Sequence, residues 1–204
     1  HGCFARGTML MLHDGTHIAV EDVTINHFLM GDDGVSRREV LYLERGRETM
    51  HRFTYEDGTQ HTFNESHILC LMHIESRQKR ELTVRQWHKL TPFQKTRYGV
   101  YRLVMGAHVF FRLDQVEVLG EDQYFGFLVD GNHKFLAADG TVFHNTGKTR
   151  SAGIVALWHL CFFPHSVMMF SAPQIEQLRK LVWKEIEICL ALMRNGRLSW
   201  LADY

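Results

Sequence analysis

The stretch Val142-Phe143-His144-Asn145-Thr146-Gly147-Lys148-Thr149 decides how this chain is organised. Its right half, Gly147-Lys148-Thr149, is the last third of the phosphate-binding loop G-x-x-x-x-G-K-[ST]. The glycine that should open this loop is missing, because Thr141–Asn145 fills its place. The nearest candidate is Gly2, at the other end of the chain. The mismatch predicts that Gly2 and Thr146 are meant to become neighbours.

The residues before this stretch carry the signs of a β-rich domain. Five Asp-Gly pairs precede residue 146, and they begin at Asp14, Asp33, Asp57, Asp130 and Asp139. Asp-Gly favours tight hairpins, because the primed turns need positive φ and glycine adopts it freely. The pairs therefore predict an all-β domain of many short hairpins.

Several strands are predicted from apolar and β-branched runs between these turns. They include Thr8–Leu12 with His17–Val20, Arg52–Tyr55 with Thr59–Phe63, Val100–Val104, His108–Leu113, Val116–Leu119, Tyr124–Val129, Lys134–Leu136 and Thr141–His144.

After Asn145 the hydrophobic period changes. Lys148–Phe163 has helical spacing, and Val167–Phe170 is predicted as a short buried strand. A second helix is predicted to begin at Ser171–Gln174 and to end at Gly196. The order loop–α–β–α predicts a second domain with its boundary at Asn145/Thr146.

Composition excludes some classes of protein. The 204 residues carry 23 basic and 23 acidic side chains, so the formal net charge is zero and nothing global indicates a nucleic-acid or membrane surface. No apolar run is long enough to span a bilayer. The four cysteines are too widely spaced for a zinc site or a dense disulfide framework, and we infer no metal. The chain begins at His1 rather than Met, which predicts a fragment of a longer protein.

Residues 76–102 form a basic segment, with eight bases and a short helix predicted at Thr83–Leu90. Two interpretations stay open. The segment is either a solvated linker, which is the commoner meaning of such a charge run, or a patch that touches nucleic acid.

Four motifs in the expected order resemble those of inteins. They are the opening Cys3–Thr8, Asn64–His67 in place of the T-x-x-H box, Phe125–Leu136 with its histidine, and Val142–Asn145 followed by Thr146. The resemblance covers residues 3–145 and implies an all-β Hedgehog/intein (HINT) horseshoe. Such a scaffold would bring the two ends of the domain within bonding distance.

This sequence departs from the intein pattern at two positions. Asn64 replaces the usual Thr, although its amide can still donate a hydrogen bond. Gly126 stands where an acidic residue is often found, seven places before His133. The expectation is that any acid–base role at position 126 falls to another group or is dispensed with.

At the N-terminal end the resemblance implies thioester chemistry. Cys3 would attack the carbonyl carbon of Gly2, since a thiolate attacks carbonyls readily near neutral pH. His67 would give a proton to the departing amine of Cys3, and Asn64 would polarise or strain the same bond.

At the C-terminal end the resemblance implies transfer and release. The Thr146 hydroxyl would attack the thioester, with His133 as its candidate base. Asn145 would cyclise onto its own carbonyl with help from His144, and an ester-to-amide shift would join Gly2 to Thr146. No cofactor is expected.

Residues 146–204 resemble part of the ATPase domain of a phage terminase large subunit. Joining His1-Gly2 to Thr146-Gly147-Lys148-Thr149 restores the end of a phosphate loop. The resemblance implies that the spliced host binds ATP and Mg²⁺ through these residues, engages DNA and packaging proteins, and works in the cytoplasm of the infected cell.

The sequence thus predicts a mini-intein at 3–145 between an N-extein remnant at 1–2 and a C-extein, an α/β fragment of a P-loop ATPase, at 146–204. The 76–102 segment would stand in place of a homing endonuclease. The intein would act in cis on its own flanks, with no nucleic acid or membrane bound. Two alternatives stay open: a P-loop ATPase with an N-terminal β binding module, and a cleavage-only domain like the Hedgehog relatives.

Overall fold

The computed structural model describes residues 2–145, 148–163, 165, 167–170 and 183–194. The chain forms two compact units, residues 1–146 and 147–204. The division falls one residue from the boundary that the sequence predicts.

The first unit is built of strands. Between residues 2 and 145 these are β1 (Phe4–Ala5), β2 (Met9–Met11), β3 (His17–Ala19), β4 (Phe28–Met30), β5 (Arg37–Tyr55), β6 (Gln60–Asn64), β7 (Ile68–His73), β8 (Lys79–Thr83), β9 (Tyr98–Val104), β10 (Ala107–Val129), β11 (Lys134–Leu136) and β12 (Val142–His144). The short helices are a 3-10 turn (Val20–Asp22), α1 (Val84–His88) and α2 (Pro92–Thr96).

Sequence-distant strands lie side by side in the main sheet. Its order is β11-β12-β7-β9-β10-β1-β6-β5-β4, with β8 on β7, and the pairs are antiparallel. β2 and β3 form a separate hairpin around Asp14-Gly15, where Gly15 has φ +85°. The hairpins predicted at Asp14-Gly15 and Asp57-Gly58 are confirmed.

β5 and β10 form a long antiparallel ribbon of 19 and 23 residues. Where the sequence predicts three separate strands between His108 and Val129, the structure has one, with register shifts at Leu113/Gln115, Val118/Gly120 and Leu128/Val129. The residues that divide the apolar runs, at 114–115 and 120–123, remain within one continuous strand, and consecutive residues there are exposed because both faces of the ribbon are open to solvent.

An aromatic core lies where β1, β6, β10 and β12 meet. The ring of Phe4 contacts the rings of Phe63, Phe127, Phe135 and Phe143, with centroids 4.9–6.1 Å apart. These rings come from the two ends and the middle of the unit, so their burial holds its two ends together.

The 76–102 segment is a folded part of this unit and not a separate linker, although most of its bases are exposed to solvent as predicted. It contains β8, α1, α2 and the start of β9, and Trp87 is buried. Thr83 and Thr91 each close a capping box, which satisfies the first backbone donors of α1 and α2. Its bases include Arg85, paired with Glu65, and Arg97, paired with Glu75.

The second unit contains α3 (Lys148–Phe162) and α4 (Lys184–Arg194). Their buried contact surface is formed by Ala156, Leu157, Ile186 and Cys189. Both helices match the predicted helical periods. The predicted helix start at Ser171–Gln174 and its end at Gly196 lie outside the described residues.

Residues 167–170 have no regular secondary structure, so the buried strand predicted there is wrong. Val167 and Met169 are 83% and 94% exposed. An apolar run gives the composition of a strand but does not supply the neighbour that would pair with it. Among the described residues, no helix is both long and apolar enough to cross a membrane.

Candidate active site

The N-terminal junction, Gly2 and Cys3, is buried directly before β1. Asn64, at the end of β6, brackets it with two hydrogen bonds. The Cys3 backbone N–H donates to Asn64 Oδ1 at 2.8 Å, and the Asn64 backbone N–H donates to the Cys3 carbonyl at 3.1 Å. The nitrogen of the Gly2–Cys3 peptide bond is therefore held by a side-chain oxygen.

Glu48 on β5 fixes the orientation of that amide. Asn64 Nδ2 donates to one Glu48 oxygen, and Ser66 Oγ donates to the other at 2.9 Å. Because Nδ2 must donate to the carboxylate, Oδ1 is left to accept from Cys3. Asn64 thus acts at this position as a hydrogen-bond acceptor towards the peptide nitrogen, whereas the sequence indicated its capacity to donate.

His67 lies against Gly2 with both ring nitrogens buried and, within the part of the chain that the structure describes, without a hydrogen-bond partner. A Cβ built on Gly2 would stand 3.0 Å from His67 Nδ1, so the imidazole adjoins the Gly2–Cys3 bond. The ring stacks on Phe63 at 4.2 Å, which fixes its plane. Burial, followed by the nearby His144, lowers the pKa of His67 well below its ordinary value.

The C-terminal junction, His144 and Asn145, is held by strands and backbone. β12 lies between β11 and β7, with His144 opposite Lys134 on one side and Ile68 on the other. The Asn145 backbone N–H donates to the carbonyl of His133 at 3.0 Å. Both junction residues are buried, at 7% and 2% exposure.

His133 lies beside the C-terminal junction in an unusual backbone conformation. Its φ is +61°, in the left-handed region that non-glycine residues rarely adopt. Nδ1 lies 2.7 Å from the carbonyl oxygen of Val129, so Nδ1 carries the proton and Nε2 is the basic nitrogen. The ring stands edge-on to His144, with centroids 6.2 Å apart.

The two junctions meet although Cys3 and Asn145 are 142 positions apart in the sequence. Phe4 follows Cys3 and Phe143 precedes His144, and the centroids of their rings are 4.9 Å apart. His67 contacts both rings, Phe4 at 4.9 Å and Phe143 at 6.0 Å. Six of the predicted residues are therefore brought into one region: Cys3, Asn64, His67, His133, His144 and Asn145.

Position 126 is occupied by glycine for a steric reason. A Cβ built on Gly126 would lie 2.4 Å from Cys3 Sγ, far inside a normal contact. The thiol of Cys3 fills the space that any side chain at position 126 would take. An acidic side chain at this position would therefore collide with the thiol.

Two acidic residues near the junction were missed by sequence reasoning. Glu48 holds Asn64, and Glu44 pairs with Gly126 across the ribbon. The available signal was the alternation Glu44-x-Gly46-x-Glu48, which places these residues on one face of a strand. This alternation places the two glutamates near Cys3 only when the register between β5 and β10 is known.

Thr146 and Gly147 lie outside the described residues. Lys148 and Thr149 begin α3. The predicted roles of these four residues in transfer and in nucleotide binding stay predictions. Among the described residues, no cluster of three or more His, Cys, Asp or Glu is arranged to hold a metal ion.

Comparison with known proteins supports an intein-type domain. Residues 3–99 match the family described as Hom_end-associated Hint. Over 59 residues the chain is 39% identical to the catalytic subunit of the V-type proton ATPase from Candida tropicalis, a match that covers 29% of this chain and 5% of that protein.

Solved structures show the fold. The gp41-1 intein is 20% identical, and the match covers 71% of this chain and 99% of that one with a TM-score of 0.55. The DnaB intein of Synechocystis sp. PCC 6803 is 12% identical, covers 72% and 100%, and has a TM-score of 0.56. A bacterial intein-like domain of Clostridium thermocellum is 16% identical, covers 70% and 98%, and has a TM-score of 0.51. The all-β part of the chain has the HINT/intein fold.

Proposed function

We propose that residues 3–145 are a mini-intein that excises itself and joins Gly2 to Thr146. One observation carries the proposal. The Gly2–Cys3 bond and Asn145, at opposite ends of the domain, are both buried close to the contact between the Phe4 and Phe143 rings. The imidazole of His67, which has no hydrogen-bond partner among the described residues, adjoins the bond. A buried polar group without a partner costs free energy, which favours a catalytic role over a structural one.

The first step is attack of the Cys3 thiol on the Gly2 carbonyl carbon. Asn64 Oδ1 accepts from the nitrogen that must leave, which holds the peptide bond in place. His67 delivers the proton that this nitrogen needs as the C–N bond breaks. A neutral imidazole suits this relay, and burial keeps His67 neutral near pH 7 because it lowers the pKa.

The later steps belong to the C-terminal junction. The Thr146 hydroxyl attacks the thioester and takes over the upstream chain. Asn145 then cyclises through its side-chain amide onto its own carbonyl, and His144 assists at the carbonyl oxygen. The contacts of His133 with Asn145 and His144 favour a role for Nε2 in this cyclisation, besides the activation of Thr146 expected from the sequence.

The domain splices without an endonuclease and without a cofactor. The described residues between His67 and Gly126 are used by β7 to β10 and two five-residue helices. They are part of the splicing scaffold itself, and the reaction moves only acyl groups and protons between residues of the chain.

The host of this intein is a terminase-like DNA-packaging ATPase. The support is the loop that splicing restores, Gly2-Thr146-Gly147-Lys148-Thr149, followed by the helix α3. The helix N-terminus after such a loop favours phosphate binding. In this proposal ATP and Mg²⁺ bind after splicing, in the cytoplasm of a phage-infected cell, and the host engages DNA and packaging proteins.

Intact-mass analysis of the chain expressed between longer flanks tests the proposal. The wild type is expected to release residues 3–145 and a product in which Gly2 is bonded to Thr146. A Cys3→Ala, Asn145→Ala double variant is expected to stay as one uncut mass. Identical single masses for both proteins would refute splicing, and two separated flanks without a ligated product would indicate a cleavage-only domain.

A further inference from the structure

One face of the β5–β10 ribbon lies against Cys3. Glu44, Gly46 and Glu48 alternate along β5 and therefore share this face. In the antiparallel register Gly126 is opposite Glu44 and Tyr124 is opposite Gly46. Directly opposite residues project to the same side of a sheet, so Tyr124 shares the face with both glutamates.

Two glycines make room on this face for two reactive groups. A Cβ built on Gly46 would lie 2.5 Å from the Tyr124 hydroxyl oxygen, and one on Gly126 would lie 2.4 Å from Cys3 Sγ. The Tyr124 ring and the Cys3 thiol therefore cover the two glycines. Glu44 stands beside both positions.

Glu44 is within reach of the thiol. Its Cβ and the Cβ position of residue 126 are separated by about 4.5–5.5 Å, the spacing of opposed residues, and Sγ lies 2.4 Å from the latter position. The Tyr124 hydroxyl donates to Glu44 Oε1 at 3.4 Å. Burial raises the pKa of Cys3, and the charge of Glu44 raises it further. Burial also raises the pKa of Tyr124, with Glu44 and then Cys3 as the next causes.

Glu48, the other acid on this face, forms hydrogen bonds with residues other than Cys3. Its two oxygens accept hydrogen bonds from Asn64 Nδ2 and Ser66 Oγ. Those bonds fix the amide that holds the peptide nitrogen, so Glu48 positions Asn64. Glu44 is the acid that faces the sulfur.

We infer that Glu44 is the proton acceptor for the Cys3 thiol and supplies, from β5, the carboxylate that position 126 does not carry. The inference rests on the proposed splicing function. Glu44 takes the thiol proton as Sγ bonds to the Gly2 carbonyl carbon. The Gly2–Cys3 C–N bond then breaks, and the nitrogen keeps the electron pair and receives a proton through His67. Glu44 gives up its proton and His67 regains one, so an amide and a thiol become a thioester and an amine.

The test uses the whole chain with Asn145→Ala, which retains the thioester step, and measures cleavage after Gly2 by added dithiothreitol. Glu44→Gln is expected to slow this cleavage at least about tenfold at neutral pH. The Cys3→Ala protein carrying Glu44→Gln is expected to release its C-terminal flank at the rate of Cys3→Ala alone. Glu121→Gln, an exposed glutamate on the same ribbon, is the matched control and is expected to change neither rate.

The direction of the effect separates catalysis from simple electrostatics. If Glu44 only repelled the thiolate, its removal would lower the pKa of Cys3 and make cleavage faster at neutral pH. A proton acceptor gives the opposite sign, and its loss is expected to be relieved as pH rises and hydroxide replaces it. Faster or unchanged cleavage in Glu44→Gln would overturn the inference.

Tyr124→Phe gives a second, milder variant in case Glu44→Gln disturbs folding. It removes the hydroxyl that orients Glu44, and about a two- to fivefold slowing of the same cleavage is expected. An unchanged rate would count against Glu44 as the acceptor. If the Asn145→Ala parent itself gives no thiol-dependent cleavage, the proposed splicing function fails, and this inference fails with it.

Discussion

The two junctions of the domain are held in different ways. At the N-terminal junction a side chain takes part in holding Cys3: Asn64 Oδ1 accepts from its peptide nitrogen and Glu48 orients Asn64, in addition to the backbone bond from the Asn64 N–H to the Cys3 carbonyl. Asn145 at the C-terminal junction is fixed by backbone, through the carbonyl of His133 and the strand before it. The partner of the Cys3 N–H, Asn64, is 61 positions away, whereas the partner of the Asn145 N–H, His133, is 12 positions away.

The difference follows from what each junction has to do. In the proposed reaction the first bond must be polarised and must exchange protons, and ionisable and amide side chains surround it. The proposed second cleavage needs Asn145 to fold back on its own carbonyl, for which a fixed backbone supplies much of the advantage of proximity. Side-chain substitutions should therefore harm the N-terminal step more selectively than the C-terminal step.

The largest effects are expected when one histidine is removed from each junction, and they test whether the two junctions act separately. His67→Ala is expected to slow thiol-induced cleavage after Gly2 by about 10²-fold or more, because the leaving nitrogen loses its proton donor. His133→Ala is expected to slow release after Asn145 and to leave cleavage after Gly2 within about threefold. Single-turnover rates are read from intact masses, in Asn145→Ala and Cys3→Ala parents respectively.

His17→Ala provides the control for both variants, since His17 is exposed in the β2–β3 hairpin. It should change neither rate. Equal slowing of both steps by His67→Ala would show that the two junctions are one undivided site.

A second prediction concerns the space at position 126. Gly126→Ala is expected to lower the free energy of unfolding by about 1–3 kcal/mol, because the new Cβ collides with Cys3 Sγ. Gly126→Asp, which restores the usual acid, is expected to slow cleavage after Gly2 rather than speed it. Urea unfolding of proteins that carry Asn145→Ala measures the stability change.

The Cys3→Ala background is the matched test for this collision. Without the sulfur, Gly126→Ala should cost less than about 0.5 kcal/mol, as expected when the two sites couple through one contact. The same loss in both backgrounds would mean that another neighbour is responsible.

The smallest expected effect lies between the junctions, at His61. Burial lowers the pKa of His61 to about 4, and its ring contacts Phe143 at 4.9 Å. In the unfolded chain the pKa of this histidine is about 6.5, so between about pH 6.5 and about pH 4 the unfolded chain binds more protons than the folded one. The contribution of His61 to stability is therefore fully present above about pH 6.5 and is lost as the pH falls towards about 4. A loss of up to about 2 kcal/mol is expected from His61 between about pH 7.5 and about pH 5.

Thermal unfolding of wild type and His61→Gln, both with Asn145→Ala, isolates this contribution. Other buried histidines, such as His67, add to the slope in both proteins. The wild type should lose more stability on acidification than His61→Gln. If the stability of both proteins falls equally with pH, the pH dependence comes from groups other than His61.

Local signals in the sequence predicted the strand that ends at the C-terminal junction and much of the fold. His144 and Asn145 end a short strand after an Asp-Gly turn, and the structure has that strand as β12. The hairpins at Asp14-Gly15 and Asp57-Gly58 were predictable because a tight turn is encoded by the residues within it.

Long-range register is what the sequence could not supply. Glu44 and Gly126 become neighbours only through the pairing of β5 with β10, 82 positions apart in the chain. The same limit explains why Gly126 was interpreted as a missing acid, since its contact with Cys3 Sγ is invisible without the fold. Residues 167–170 show the reverse error, in which an apolar run was predicted as a buried strand.

The pairing of sequence-distant strands also sets the order of events as the chain folds. Phe4 pairs with Phe125, and His144 pairs with Ile68, so neither junction exists until strands far apart in the chain have met. Contacts of this kind form slowly, because the loops between them must close first. In the proposed reaction, bond cleavage therefore begins only after folding is complete. A nascent chain keeps its peptide backbone intact until the whole domain has folded.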